Sequence, residues 1–308
     1  MKTFYDLHFA YFIIAGKDAK LTQITPSFKK DSSGSLILLD EEYLDLAPST
    51  PSFAVCAIKT ILRSILLSFR FIQSGDLLLD KKFYSLSVFS YYTASFHILQ
   101  SFLALHGRII VRPTDNQRQE LGLSKALIMS RLTKHNRWCF EGFSQNHDSM
   151  WREASDIFEA TCNDILKHFL FFFEYIIAIE QSPPSDKQQL ISEGLKRFPK
   201  IRHEAIYEGY GFDDYVFNSV ISDEKDRFSL KELESKAIVY KMFASQFLKL
   251  TLKEIFEFKK TSLDNEWDKV KDLFLTIILI PPFEKGDPDF SADSELSCLA
   301  KQFNDWLK

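Results

Sequence analysis

The chain has 308 residues, 45% of them apolar and 26% charged, the balance of a soluble globular protein. Ten Gly and ten Pro are too few for collagen-like, propeller-like or low-complexity architecture, and thirty Phe require a sizeable core. A net charge of −4 excludes bulk attraction to nucleic acid, so any such binding has to come from a local patch.

Taken in chain order, the first fifty residues read two ways. "FYDLHFAYFIIAG" suits a short helix or a strand, and "SLILLDEEYL", after Ser32-Ser33-Gly34, suits a strand or a helix start. Asp6 and His8 interrupt the apolar stretch Met1–Gly16 and no basic leader precedes it, so no signal peptide is expected. Thr50–Pro51 closes this segment. Val55, Ile58, Leu62, Ile65, Leu66 and Phe69 then recur at helical spacing, which predicts a helix over Phe53–Gln73 that ends at Ser74-Gly75-Asp76. A second helix is predicted over Lys82–His106, with Phe89, Tyr92, Phe96, Leu99 and Leu103 on one face and Gly107 as its stop.

A third helix is predicted around Ser124–Leu132. Asp148 suits the cap of a long helix to about Glu180, ended by Pro183–Pro184. A helix near Lys187–Lys196 follows, and Pro199 suits the first turn of a separate short helix that Gly209 and Gly211 would end. Ser229-Leu-Lys-Glu232 is a capping-box pattern opening a helix to about Lys260. Further helices are predicted over Asn265–Ile280 and Ser294–Leu307. The most apolar run, Phe169–Ile179, contains Glu174 and falls short of the roughly 20 residues of a membrane span. The expected fold is mainly α: a bundle over residues 53–220, an N-terminal extension over 1–52 with room for a small β element, and a C-terminal helical extension over 221–308. The expected setting is cytoplasmic, with no membrane contact.

Cys56, Cys139, Cys162 and Cys298 lie far apart and form no Cys-x-x-Cys pair, so they read as reduced thiols. The seven histidines are scattered, and phosphate-loop, dinucleotide-binding and hydrolase motifs are absent; no metal and no cofactor is expected. Charge is uneven. Seven basic residues (Arg108, Arg112, Arg118, Lys125, Arg131, Lys134, Arg137) stand against Asp115 and Glu120, a local +5. This cluster reads as a phosphate-binding surface or as a solvated face. Between Asp264 and Asp305 ten acidic residues stand against four lysines, a local −6 that suits solubility.

Two segments stand out together: "FYSLSVFSYYTASFHILQSFLALHG" (83–107) and "RFPKIRHEAIYEGYGFDDY" (197–215). In the first, Ser90-Tyr91-Tyr92-Thr93-Ala94-Ser95-Phe96-His97 precedes an apolar run ending at Gly107. In the second, Arg202 is followed by His203, then by Tyr207 five positions on. This pair resembles the signature helices of the HEPN superfamily, the helical-bundle domains of toxin–antitoxin, anti-phage and nucleotidyltransferase-associated systems. The resemblance covers about residues 53–220. It implies a homodimer that binds RNA. Catalytic members are metal-independent endoribonucleases whose Arg and His meet in a cleft, usually between protomers.

That reaction, attack of a ribose 2′-hydroxyl on the adjacent phosphate, needs a group that moves a proton near neutral pH and a cation for the phosphorane charge. The resemblance places Arg202 on the phosphate. The family's His position is Tyr207 here, whose ordinary pKa near 10 makes it a poor base. His203, four residues earlier on the same helix face and six after Arg197, is the other proton carrier, with Arg197 as a second cation. Arg131, Lys134 and Arg137 would bind flanking phosphates. The alternative implied by the same resemblance is a non-catalytic module that binds a nucleotide or docks a partner protein such as a nucleotidyltransferase. His97, with Thr93 and Gln100, forms a polar strip that reads as a core hydrogen-bond network or as a substrate-facing wall.

Overall fold

A computed structural model describes residues 12, 26–38, 43–44, 47–48, 51–132, 138–144, 147–161, 172–174, 177, 185–207, 224–259 and 294–307. The fold is mainly helical with a small antiparallel sheet. The helices are α1 (Pro51–Asp80), α2 (Tyr84–Leu105), α3 (Asp115–Glu120), α4 (His147–Thr161), α5 (Lys187–Tyr207), α6 (Glu224–Lys259) and α7 (Ser294–Leu307). The strands are β1 (Phe28–Lys30), β2 (Leu36–Leu38), β3 (Tyr43–Leu44), β4 (Ala47–Pro48), β5 (Ile110–Val111), β6 (Leu127–Leu132) and β7 (Trp138–Phe143).

Helix α2 is the axis of the fold. It packs on α1 and α6, and on α4 and α5 at its sides. Serines set the α1–α2 approach: Ser68 is fully buried, and its hydroxyl donates to the Ser64 carbonyl at 2.7 Å and the Ala94 carbonyl at 3.3 Å. One apolar core runs from Phe12 through all the long helices to Leu307. Helix α1 is long and apolar enough to cross a bilayer, but 72% of its most apolar window is buried inside the protein.

Helix α1 runs past the Ser74-Gly75-Asp76 stop expected from the sequence. Gly75 is there for a close approach: a Cβ at that position would lie 2.5 Å from the Tyr91 ring. The next residue, Asp76, accepts the Tyr91 hydroxyl at 2.6 Å and pairs with Lys241 of α6 at 2.8 Å. The triplet therefore joins three helices. The helix ends instead at Asp80, beyond which Lys82 takes a left-handed φ of 61° as Phe83 N–H returns to the Leu78 carbonyl.

The helix expected over Ser124–Leu132 is strand β6. Its partner β7 pairs along its whole length, from Leu127 with Phe143 to Leu132 with Trp138, and this pairing outweighs a weak local helix preference. The five-stranded sheet, ordered β1-β2-β7-β6-β5, thus draws on the middle of the chain as well as its start, while β3 and β4 pair separately.

Pro199 does not open a new helix but lies inside α5. It removes one helix hydrogen bond, from its own position to the Leu195 carbonyl. The residue before it is held in an aromatic cluster: Phe198 stacks on Tyr240 at 4.6 Å and meets Trp151 at 4.9 Å, and the Tyr240 hydroxyl donates to the Phe198 carbonyl at 2.8 Å. Helix α6 begins before the expected capping box at Ser229, and α7 occupies the expected Ser294–Leu307. The helix expected over Asn265–Ile280, and the stops at Gly209 and Gly211, fall outside the described residues.

Gly75→Ala is expected to lower the urea midpoint without changing the slope. Overpacking against Tyr91 costs about 1–3 kcal/mol, which exceeds a helix-propensity gain of at most about 1 kcal/mol.

Candidate functional site

Between Ser87 and Leu105, α2 is buried except at Phe89, Thr93, Phe96, His97 and Gln100. These five residues follow helical spacing, so they form one stripe about 16 Å long at 1.5 Å per residue. Functional side chains on this helix have to lie there, and other elements bring groups to both of its ends.

At the C-terminal end the stripe borders a cavity of about 490 Å³. Lys59 and Arg63 reach it from α1, where Cys56, Lys59, Thr60, Arg63, Ser64 and Leu67 share one face. Arg108 and Arg112 reach it from either side of β5, and His97 and Gln100 complete the wall. Among the described residues, no carboxylate lines the cavity. Among the described residues, none forms an ion pair with Lys59, Arg63 or Arg112.

Local bonding explains the placement of the two β5 cations. Gly107, at φ 78°, donates to the Ala104 carbonyl, and Arg108 N–H donates to the Leu103 carbonyl at 2.8 Å, which ends α2 and turns the chain. The buried Ser130 hydroxyl donates to the Gly107 carbonyl at 2.9 Å and accepts Ile109 N–H at 2.9 Å. The segment carrying Arg108 is thereby fixed to β6 immediately after the helix ends.

His97 stacks on Phe71, with ring centres 5.5 Å apart, and its Nδ1 lies 3.2 Å from Gln100 Oε1, which also accepts the Ser64 hydroxyl at 3.4 Å. His97 and Gln100 thus meet each other and line the cavity, while the Thr93 hydroxyl donates to the Phe89 carbonyl at 2.7 Å. Burial lowers the His97 pKa, with the Gln100 contact opposing and Arg63 adding to the shift. Burial also pushes the neighbouring Cys56 thiol up to about 11, so it does not supply a thiolate.

At the N-terminal end of the stripe, the Arg202 guanidinium lies over Phe89 at 5.6 Å and Tyr92 at 5.5 Å, within cation–π range. The Tyr92 hydroxyl is 2.8 Å from His147 Nδ1 and accepts Trp151 Nε1–H at 3.3 Å. The His147 ring packs on Phe96 at 4.4 Å. Arg202 and His147 therefore share one buried tyrosine.

The remaining sequence candidates do not converge in this way. Because α5 is continuous, Arg197 is about 140° and His203 about 100° around the helix from Arg202. His203 is exposed, while Arg202 faces α2. Tyr207 ends the same helix, four positions beyond His203. Arg131 is engaged in ion pairs: it pairs with Glu153 of α4 and with Glu141 at 2.9 Å, and Glu153 also meets Arg108 at 3.5 Å. Lys134 and Arg137 fall outside the described residues.

Sequence reasoning missed Lys59, Arg63 and His147. The first two carried a signal, since two basic residues four apart interrupt the polar face of an otherwise apolar helix. His147 carried none, because only the fold brings it to Tyr92.

His97 has a lowered folded-state pKa. The unfolded chain therefore takes up a proton near pH 6.5 that the folded site resists. Its contribution to stability is present above that pH and is lost as pH falls through the folded value. The melting temperature is expected to drop more between about pH 7.5 and pH 5.5 in the wild type than in His97→Gln.

No protein-family model, curated protein or solved structure matches the chain.

Proposed function

We propose that this chain is an RNA-binding protein of HEPN-like architecture, and that the basic cavity is its phosphate-binding site. One observation carries the reading: Lys59, Arg63, Arg108 and Arg112 line a cavity of about 490 Å³, and among the described residues no carboxylate joins them. Like charges brought together without counter-charges repel, so such a cluster suits an anion that supplies the missing charge. The HEPN resemblance implies RNA binding, and a phosphate of an RNA strand is an anion of that kind. The homodimer, the cytoplasmic setting and a defence or toxin-type role belong to the same reading and rest on the HEPN resemblance.

Metal-independent cleavage is the second reading. It is favoured by the placement of Arg202 and His147 about Tyr92, which brings a guanidinium and an imidazole to one tyrosine. In this reading Arg202 holds the scissile phosphate and His147 takes the place of His203 or Tyr207 as proton carrier.

The variant Lys59→Ala, Arg63→Ala, Arg112→Ala is expected to weaken binding of single-stranded RNA. It should also reduce the slope of log affinity against log salt by about 2, as three phosphate contacts are lost. Unchanged affinity and slope would remove the cavity from RNA binding. With chelator present, wild-type protein is expected to cleave RNA, and Arg202→Ala and His147→Ala each to slow cleavage by about 100-fold or more. His203→Ala in the same assay distinguishes the two proton carriers, and intact RNA with the wild type discards cleavage.

A further inference from the structure

We infer that the basic cavity accepts a single nucleotide bearing a phosphomonoester, supplied either as a free nucleoside phosphate or as the phosphorylated end of an RNA strand. The inference rests on the proposed phosphate-binding role of this cavity and narrows its ligand.

Size and charge both point this way. A volume of about 490 Å³ is in the range of small-molecule pockets, roughly 300–1,000 Å³, and gives room for one nucleotide. An internal phosphodiester would bring one negative charge to this space. A phosphomonoester brings about 1.5–2 at neutral pH, with three acceptor oxygens instead of two. Glu153 partly offsets Arg108, but Lys59, Arg63 and Arg112 have no carboxylate partner among the described residues. Three uncompensated cations match a terminal phosphate better than a diester.

The directions of approach agree. Lys59 and Arg63 come from α1, and Arg108 and Arg112 from the flanks of β5, so cations from two elements meet at one cavity. Guanidinium forks bind the splayed oxygens of a terminal phosphate in pairs. Behind them, Thr60, Ser64, His97 and Gln100 provide hydrogen-bonding groups for a sugar or base edge.

The test compares three single-stranded RNAs of one sequence, ending in a 5′-phosphate, a 3′-phosphate or hydroxyls only, together with AMP, ATP and adenosine. An RNA with a phosphorylated end is expected to bind at least about tenfold more tightly than the hydroxyl-ended strand, equivalent to about 1.4 kcal/mol. AMP and ATP are expected to raise the melting temperature, whereas adenosine does not. Arg63→Gln and Arg112→Gln, both at exposed positions, should abolish these preferences without lowering the ligand-free melting temperature. Equal binding of all three RNAs, with no response to AMP or ATP, overturns this inference and leaves RNA binding standing. A response to AMP or ATP with no RNA binding supports a free nucleotide as ligand and overturns the RNA reading. No binding of any probe overturns both.

Discussion

Burial of α2 on nearly all sides is the constraint on which this structure depends. Its two consecutive tyrosines are both fully enclosed, yet they do different things. Tyr91 is received by the notch at Gly75 and bonds Asp76, which fixes α2 to α1 and, through Lys241, to α6. Tyr92 turns the other way, toward α4 and α5, where its hydroxyl meets His147 and Trp151. Burial and the Asp76 contact raise the Tyr91 pKa, so its hydroxyl remains a donor across the physiological range. With the helix locked in rotation by two opposed hydroxyls, the same narrow stripe always faces outward.

The aromatic cluster around Phe198 extends this order to α5. Phe198 is packed against Tyr92, Trp151, Phe172, Tyr240 and Phe243, so the helix has little freedom to unwind at Pro199. Arg202 lies one turn further on and inherits that fixed direction. Its position over Phe89 and Tyr92 is thus set by hydrophobic packing four residues away. Aromatic side chains favour such a task, since each buries a large area with few rotatable bonds.

Much of the helical order was legible in the sequence. The apolar spacing of α1 and α2, the stop at Gly107 and the last helix all follow from local pattern. The errors have a common physical cause, which is that glycine and proline signals are local while their resolution is tertiary. Gly75 read as a stop because the Tyr91 ring that needs the space is in another helix. Pro199 read as a start because the cluster that holds Phe198 is drawn from four other segments. Strand β6 read as a helix because strand pairing is not visible from one strand. For the site, Arg202 and the polar strip around His97 were recognisable as a resemblance and a spacing. The cavity was not, because its cations come from positions 59, 63, 108 and 112, and only the turn after Gly107 brings the two groups together.

The bonding of Ser130 to residues 107 and 109 has a further consequence. Among the described residues, β5 ends the sheet, and it is only two residues long with an arginine on each side. Short length and flanking charge are what keep an open sheet margin from recruiting a strand of another molecule. The arginines that would hold an anion are therefore also the guards of this margin. Neutralising them, by ligand or by substitution, removes a barrier to intermolecular strand addition, so solubility and ligand recognition are coupled through the same two side chains.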